Sequence, residues 1–440
     1  MSIIFLRKVY FILACVIIFC GCASKRMPQQ HDIFESDSLL QDVFVGFKII
    51  DLESKKVIKE VNASKFFIPA SNTKLLTMYT ALKTFGDSIP GWTIAEDSQT
   101  IYIEPNGDPT FLHDDFANQK LFEKLKNTSK NIYVIIPKAN NISRFGAGWS
   151  WSFYRENYAL ERCIMPIYGN LVKFYNTDKY IKAIPSFFTD SISNSSNLDF
   201  GSLVRLEGSN QFSFRKGAAS KSILSTGFTS ATNKNITFDL LKDTLSKVNR
   251  NVHIELMRDR PKQLIFKPYY TVSTDTLLAV MMKRSDNFLA EQILIMAGKN
   301  RIDAGSDYMA IQHFINNDLS TIIGKGRWAD GSGLSRNNLI SPNEFIALLE
   351  KIESDGLKNR VEKILPSGNQ GTLRGLYLGY ENSIQAKTGT LSDHLALSGY
   401  LKSKSNKSLA FSFLINNHRG NVGEYRKKIQ KILTQYIEKI

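Results

Sequence analysis

Apolar and polar positions along this chain switch between two periods, and the switches mark out its elements. Val43-Phe44-Val45-Gly46-Phe47-Lys48-Ile49-Ile50-Asp51 is almost continuously apolar and predicts a buried strand. A polar turn at Glu53-Ser54-Lys55-Lys56 and a second run, Val57 to Val61, make the pair a hairpin. After Pro69 the spacing becomes helical, from Ser71 through Lys74-Leu75-Leu76-Thr77-Met78-Tyr79-Thr80-Ala81-Leu82, with Gly86 as the stop. Helical spacing returns at Thr274 to Arg284, breaks, and resumes at Phe288 to Leu294. Towards the end, Ser383 to Ala386, Leu395 to Leu401 and Leu409 to Ile415 read as a three-stranded meander. A turn from Ser403 to Lys407 joins the last two, and a terminal helix runs from about Val422 to Ile437. The long middle, 96–265, carries short hairpin-like runs, a helix near Asp114 to Lys126 and a Ser/Asn-rich loop at 191–197.

The first residues carry an address. Arg7 and Lys8 precede an apolar run from Val9 to Cys20, too short to span a bilayer as a mature helix but suited to a signal peptide. The run ends Phe19-Cys20-Gly21-Cys22-Ala23-Ser24, which resembles a bacterial lipoprotein cleavage site, although Phe19 is a less usual residue there. The expectation is a leader over 1–22, a lipidated Cys22 as mature N-terminus and a polar tether over 23–38; an uncleaved anchor or plain secretion are the alternatives. Each puts the protein outside the cytoplasm, on the periplasmic side of the envelope. Cys163 is then the last cysteine left, so no disulfide forms within the mature chain, and it reads as a small core residue.

The remaining stretch is too long for one ordinary core and predicts two or three domains. Hydrophobic residues make up 43% and charged residues 22%, the balance of a folded body without a second apolar run long enough to span a membrane. The net charge of +15 suits anionic lipid or an acidic polymer, or equally plain solubility; the compartment, and the lack of a long basic run, argue against nucleic acid.

Three short motifs carry the chemistry: Ser71-Asn72-Thr73-Lys74, Ser285-Asp286-Asn287 and Lys387-Thr388-Gly389, the last followed by Thr390. Taken singly each has a bland reading, as a helix cap, an inter-helix turn and a strand end. The first pattern even recurs at Ser213-Phe214-Arg215-Lys216 without an apolar helix behind it. Together their order and placement agree. Residues three apart share a helix face, so Lys74 reaches the Ser71 hydroxyl and can serve as its base if burial and a second cation, Lys387, lower its pKa. Ser285, at the break between two helices, can relay a proton to a leaving amine, and the Asn287 amide can clamp a substrate amide. Lys387 and Thr388 offer charge and a hydroxyl to a carboxylate, and Gly389 allows close backbone approach. The amide of Thr390 can complete an oxyanion hole with that of Ser71.

With its lead-in Pro69-Ala70, with Lys283-Arg284 before the second motif, and with Asp330-Gly331-Ser332-Gly333-Leu334-Ser335-Arg336 and Ser341-Pro342, the chain resembles the D-alanyl-D-alanine carboxypeptidase/endopeptidase family, the class C low-molecular-mass penicillin-binding proteins. Leu365-Pro366, Gly371-Thr372-Leu373, Ser398-Gly399-Tyr400, Gly107-Asp108-Pro109-Thr110 and Gly148-Trp149-Ser150-Trp151 extend the likeness, which is weakest between about 172 and 265. The resemblance implies an α/β (α+β) fold: a β-lactamase/transpeptidase-like domain, its antiparallel sheet flanked by helices, over 39–95 and 266–440, with an inserted mainly β domain over 96–265. The 214 positions from Ser71 to Ser285 fit such an insertion and exceed the spacing of β-lactamases. No Glu-x-x-x-Asn element comes after the second motif, as a class A β-lactamase would need. The implied activity is serine-type cleavage of D-Ala-D-Ala bonds in peptidoglycan peptides through an acyl-enzyme on Ser71, without cofactor or metal, and β-lactam antibiotics would acylate the same serine. The rivals are a β-lactamase-like hydrolase and an idle wall-binding lipoprotein. The six histidines, 31, 113, 253, 313, 394 and 418, lack paired metal spacing.

Overall fold

The computed structural model describes residues 34, 37–137, 142–176, 181–199, 201–215 and 222–440. The leader expected over 1–22, with Cys22, and most of the tether expected over 23–38 lie outside the described residues. The chain divides into two compact units, Met1–Val43 and Phe44–Ile440. In the first, Ser38–Gln41 forms one helical turn, capped by the Asp37 carboxylate, which accepts the Leu39 N–H. The second unit contains all three motifs.

Within it, one antiparallel sheet of five strands runs in the order Ile384–Leu391, His394–Lys402, Ser408–Asn416, Phe44–Asp51, Val57–Val61. The two apolar runs near the C-terminus form its centre. His394–Lys402 pairs Leu397 with Phe413, and Ser408–Asn416 pairs Phe413 onward with Phe47. Both central strands are buried on both faces, which is why they read as continuous apolar runs and not as alternating ones. The edge strand Ile384–Leu391 carries the third motif.

Against this sheet lies a helical layer. The serine helix, Lys74–Phe85, packs Leu75, Leu76, Tyr79 and Leu82 into a core shared with Leu277, Leu278, Met281 and Met282 of the helix Thr274–Arg284. The helix Asn287–Ile302 is buried from Phe288 to Gly298 without a gap, so it is the central helix of the body. Pro342–Ser354 opens on a capping box in which Ser341 and Glu344 satisfy one another's backbone amides.

A second core lies within residues 92–269, where an insertion was expected, around Ile101, Ile103, Val134, Leu240, Leu241 and Leu245. Its main sheet runs Ile254–Met257, Asn131–Ile135, Thr100–Pro105, Trp92–Glu96, Lys267–Tyr269, with parallel pairing where the helices Lys120–Lys126 and Ile236–Val248 precede a strand. Two three-stranded sheets complete it, one from Ser222–Gly227, Leu171–Asn176 and Ile181–Ile184, the other from Ile192–Asn194, Phe212–Phe214 and Leu203–Arg205. The main sheet runs from Trp92 to Tyr269, which pair with one another, and so includes residues on both sides of the expected limits at 96 and 265. The helix expected from Asp114 starts at Lys120, since His113 to Phe116 form a turn whose acids are drawn away to Lys173 and Arg284. Part of the expected Ser/Asn loop, Ile192–Asn194, is a strand. Among the described residues no helix is long and apolar enough to cross a membrane.

Candidate active site

Ser71 sits in a 3-10 turn, Ala70–Thr73, that runs straight into the serine helix. The turn is fastened from beneath. Asn416 accepts the Ile68 N–H (2.8 Å) and donates to the Ile68 carbonyl (3.1 Å), and buried Asn72 donates to Ser398 Oγ (2.7 Å), which donates to Ser412 Oγ. Two glycines let other chain segments close on it. A Cβ on Gly333 (φ +81°) would stand 1.9 Å from the Ala70 carbonyl, and one on Gly389 would stand 2.7 Å from the Pro69 carbonyl and 3.1 Å from the Ser71 nitrogen. Gly389 thus admits the turn that carries Ser71 against the edge strand, where close approach of substrate backbone was the expectation.

Lys74 is fully buried, and its ammonium has three acceptors: Ser71 Oγ (3.0 Å), Asn287 Oδ1 (2.6 Å) and the Ser332 carbonyl (2.7 Å). Burial lowers its pKa to about 8, against the pull of Asp330, Asp286 and Glu291. Lys387, also fully buried, donates to Ser285 Oγ (2.9 Å) and to the Thr388 carbonyl (2.7 Å). Burial, then repulsion from Lys74, drives its pKa well below the ordinary lysine value. Burial thus lowers the pKa of both lysines, Lys74 against Ser71 and Lys387 against Ser285.

Ser285 ends its helix in the left-handed region (φ 59°, ψ 39°), which turns its hydroxyl towards Lys387. Asp286 caps the next helix by accepting the Leu289 N–H, and Asn287 is that helix's first residue. The Asn287 amide, expected to clamp a substrate amide, is engaged at both ends within the protein. Its oxygen accepts from Lys74, and its nitrogen donates to the Tyr158 carbonyl of the inserted region (2.9 Å). Thr388 Oγ1 donates to Thr372 Oγ1 (2.7 Å), and Thr390 Oγ1 accepts from Arg426 (3.0 Å).

These groups open into a cleft of about 640 Å³. Ser71, Ser285, Asn287, Leu334, Arg336 and Thr390 form one side, and Gly148, Trp149, Ser150, Phe153 and Tyr158 the other. The structure thus brings Ser71, Lys74, Ser285, Asn287, Lys387, Gly389 and Thr390 to one place, while the Thr388 hydroxyl is turned to Thr372. Sequence reasoning named Asp330, Trp149 and Thr372 only within motifs, and it missed Glu291, Arg162 and Tyr158. A fully buried acid inside an apolar helix was the available signal for Glu291. Tyr158 acts through its carbonyl, which no side-chain pattern announces.

The model of the D-Ala-D-Ala carboxypeptidase 3 (S13) family matches residues 30–139 and 202–436. The D-alanyl-D-alanine carboxypeptidase DacB of Haemophilus influenzae is 26% identical over 186 residues, 40% of this chain and 38% of that protein. A D-alanyl-D-alanine carboxypeptidase of Actinomadura sp. is 30% identical over 158 residues, 33% of this chain and 28% of its own length. The alignments thus span well under half of these two relatives. The crystal structure of penicillin binding protein 4 (dacB) from Haemophilus influenzae superposes with a TM-score of 0.72 at 20% identity, covering 91% of this chain and 98% of the other, and so shares the fold.

Proposed function

The chain belongs to the D-Ala-D-Ala carboxypeptidase 3 (S13) family, and from that premise we propose that it is a serine D-Ala-D-Ala carboxypeptidase and endopeptidase acting on peptidoglycan stem peptides and cross-links. The observation that carries the reading is the Lys74 ammonium, buried and held 3.0 Å from Ser71 Oγ with a pKa brought down to about 8. A serine hydroxyl needs such a local base to become a nucleophile.

Neutral Lys74 takes the Ser71 proton as Oγ attacks the carbonyl of the D-Ala-D-Ala bond. The amides of Ser71 and Thr390 receive the oxyanion. Ser285, itself hydrogen-bonded to Lys387, passes a proton to the departing amine, which is D-alanine or the D-centre of a cross-link. Water then resolves the acyl-enzyme. In this reading Asn287 holds Lys74 and the inserted region in place, and Lys387 and Thr388 face the substrate carboxylate. β-Lactams present a strained amide to the same serine and acylate it. Residues 44–91 and 270–440 form the catalytic body and 92–269 the insertion. The leader sequence supports export and anchoring of Cys22 to a membrane by lipid, with the catalytic body on the periplasmic side.

Mass spectrometry of the folded protein after penicillin treatment tests the reading. A lasting adduct on Ser71 is expected, together with D-alanine release from a D-Ala-D-Ala peptide and cleavage of cross-linked wall fragments. No adduct on Ser71 overturns the mechanism, and rapid penicillin turnover would make the protein a β-lactamase.

A further inference from the structure

The loop from Asp330 to Asn338 lies between the serine helix and the central helix Asn287–Ile302, and two successive peptide units in it are held from both sides. In the unit joining Gly331 and Ser332, the N–H donates to Glu291 Oε1 (2.8 Å) and the carbonyl accepts the Thr77 hydroxyl (2.6 Å). In the unit joining Ser332 and Gly333, the N–H donates to Asp330 Oδ1 (2.8 Å) and the carbonyl accepts the Lys74 ammonium (2.7 Å). Each peptide stands between a buried carboxylate and a side chain of the serine helix. A carboxylate on the N–H polarises the unit and strengthens the bond that its carbonyl accepts.

Both carboxylates are gripped from the inserted region. Arg162 Nη1 donates to Glu291 Oε2 (3.0 Å), and Trp149 Nε1 donates to Asp330 Oδ2 (2.8 Å). The Arg162 guanidinium lies 5.8 Å from the centre of the Trp149 ring, so the two grips brace one another. Arg162 is itself immobilised: it bridges to Asp307 (2.6 Å) and donates to the carbonyls of Ser143 (3.1 Å) and Phe145 (2.8 Å). Beside it Gln292, next to Glu291 on the central helix, accepts the Cys163 N–H (3.1 Å) and donates to the Cys163 carbonyl (2.8 Å). A buried arginine–carboxylate pair needs this completeness of bonding to offset the loss of hydration.

We propose that the inserted region positions the general base: Arg162 through Glu291, and Trp149 through Asp330, fix the two peptide units against which Thr77 and Lys74 are seated. Arg162, Glu291 and Asp330 are positioning residues, since they act on Ser71 through the loop that seats Thr77 and Lys74. The inference rests on the acyl-transfer reading above. Charge adds to it. Glu291, Asp330 and Asp286 face Lys74 and favour its proton, Lys387 faces the site from the edge strand, and burial holds Glu291 itself up at about 7, with Asp330 and Asp307 adding to the rise and Arg162 opposing it.

The test is the pH profile of acylation by a fluorescent penicillin, in the wild type and in Glu291→Gln, Arg162→Met and Arg162→Lys, with thermal melts to establish folding. In Glu291→Gln the plateau rate should fall about tenfold or more, as misplacement of a reacting group does. Its acid limb should move about half a pH unit or more downward, because a negative charge that favours the Lys74 proton is gone. Arg162→Met should behave alike, and Arg162→Lys should recover part of both. A purely structural role would lower the plateau with the folded fraction and leave the limb in place. A folded Glu291→Gln variant with an unmoved limb, or a plateau within about twofold of wild type, overturns the proposal. If Glu291→Gln does not fold, Trp149→Phe decides: its first-order acylation constant should fall at least about threefold, and a wild-type value overturns the proposal. Absence of acylation in the wild type would instead overturn the acyl-transfer reading.

Discussion

One wall of the cleft is made of regular elements and buried charge, the other of irregular chain and aromatic side chains. On the body side, Ser71 opens a helix, Ser285 closes one, Asn287 starts the next, and Lys387 lies in a strand, so each is fixed by backbone that packing already determines. On the inserted side, Gly148 to Tyr158 form a 3-10 turn with bends, and no side chain lining the cleft from it is charged. Reacting groups need placement to within a fraction of an ångström, which rigid elements supply. The opposite wall needs only shape and a few backbone contacts. Yet the irregular wall also reaches behind the regular one, through Arg162 and Trp149. The two walls therefore differ in where they act: one at the serine, the other beneath it.

The sharpest way to break this division is to remove Lys74, the proposed base. Lys74→Met should lower penicillin acylation by about 10³-fold or more, the upper range for loss of a general base. Its fold should survive, since a buried cation is replaced by an apolar chain of similar length. Acylation within about tenfold of wild type would move the base elsewhere, with Lys387 the next candidate.

The pH dependence separates the same two roles. Acylation should rise with pH through about 8, following the loss of the Lys74 proton. Stability carries the matching sign. Lys74 has a folded pKa below its unfolded one, so the unfolded chain binds more protons between about pH 8 and the ordinary lysine range. Folding is most penalised below that window, and the penalty lifts as pH rises through it. Denaturant melts across that range should show the rise in wild type and a smaller one in Lys74→Met. Equal slopes would mean that Lys74 is not the titrating group.

A smaller effect is expected at the rim of the regular wall. Thr372→Val removes the acceptor that orients the Thr388 hydroxyl. With that proton free for a substrate carboxylate, KM for a D-Ala-D-Ala peptide should fall about threefold while kcat holds, the mark of a contact made equally in ground and transition states. A fall in kcat alone would place Thr388 closer to the reaction than to the carboxylate.

Legibility in the sequence divides along the same line. The hairpin from Phe44, the serine helix and the C-terminal meander were written in local periodicity, because each buries a face whose period the sequence repeats. The three motifs gave the residues around Ser71, since side-chain type carries their chemistry. Hidden were the partners that act through backbone or across long separations. The Ser332 and Tyr158 carbonyls belong to no residue type, and the Arg162–Glu291 pair joins positions 129 apart, a separation that no local pattern encodes. The helix expected at Asp114 started late for a related reason: Asp114 and Asp115 are spent on Lys173 and Arg284, contacts 59 and 169 positions away along the chain.

The two tryptophans of the irregular wall give the finest division, and the smallest expected effect. Trp149 is held by Asp330 and Arg162, whereas Trp151, two residues on, is 77% exposed. An exposed ring away from caps and cores contributes little to folding, so Trp151→Ala should change unfolding free energy by no more than about 0.5 kcal/mol. Trp149→Phe, which keeps a ring but loses the N–H, should cost about 1–3 kcal/mol by leaving a buried carboxylate short of a donor. Chemical denaturation of both variants measures the difference directly. If Trp151→Ala proved as damaging as Trp149→Phe, the turn would have to be packed as tightly as the body, and the contrast between a wall that supplies shape and a wall that supplies position would fall.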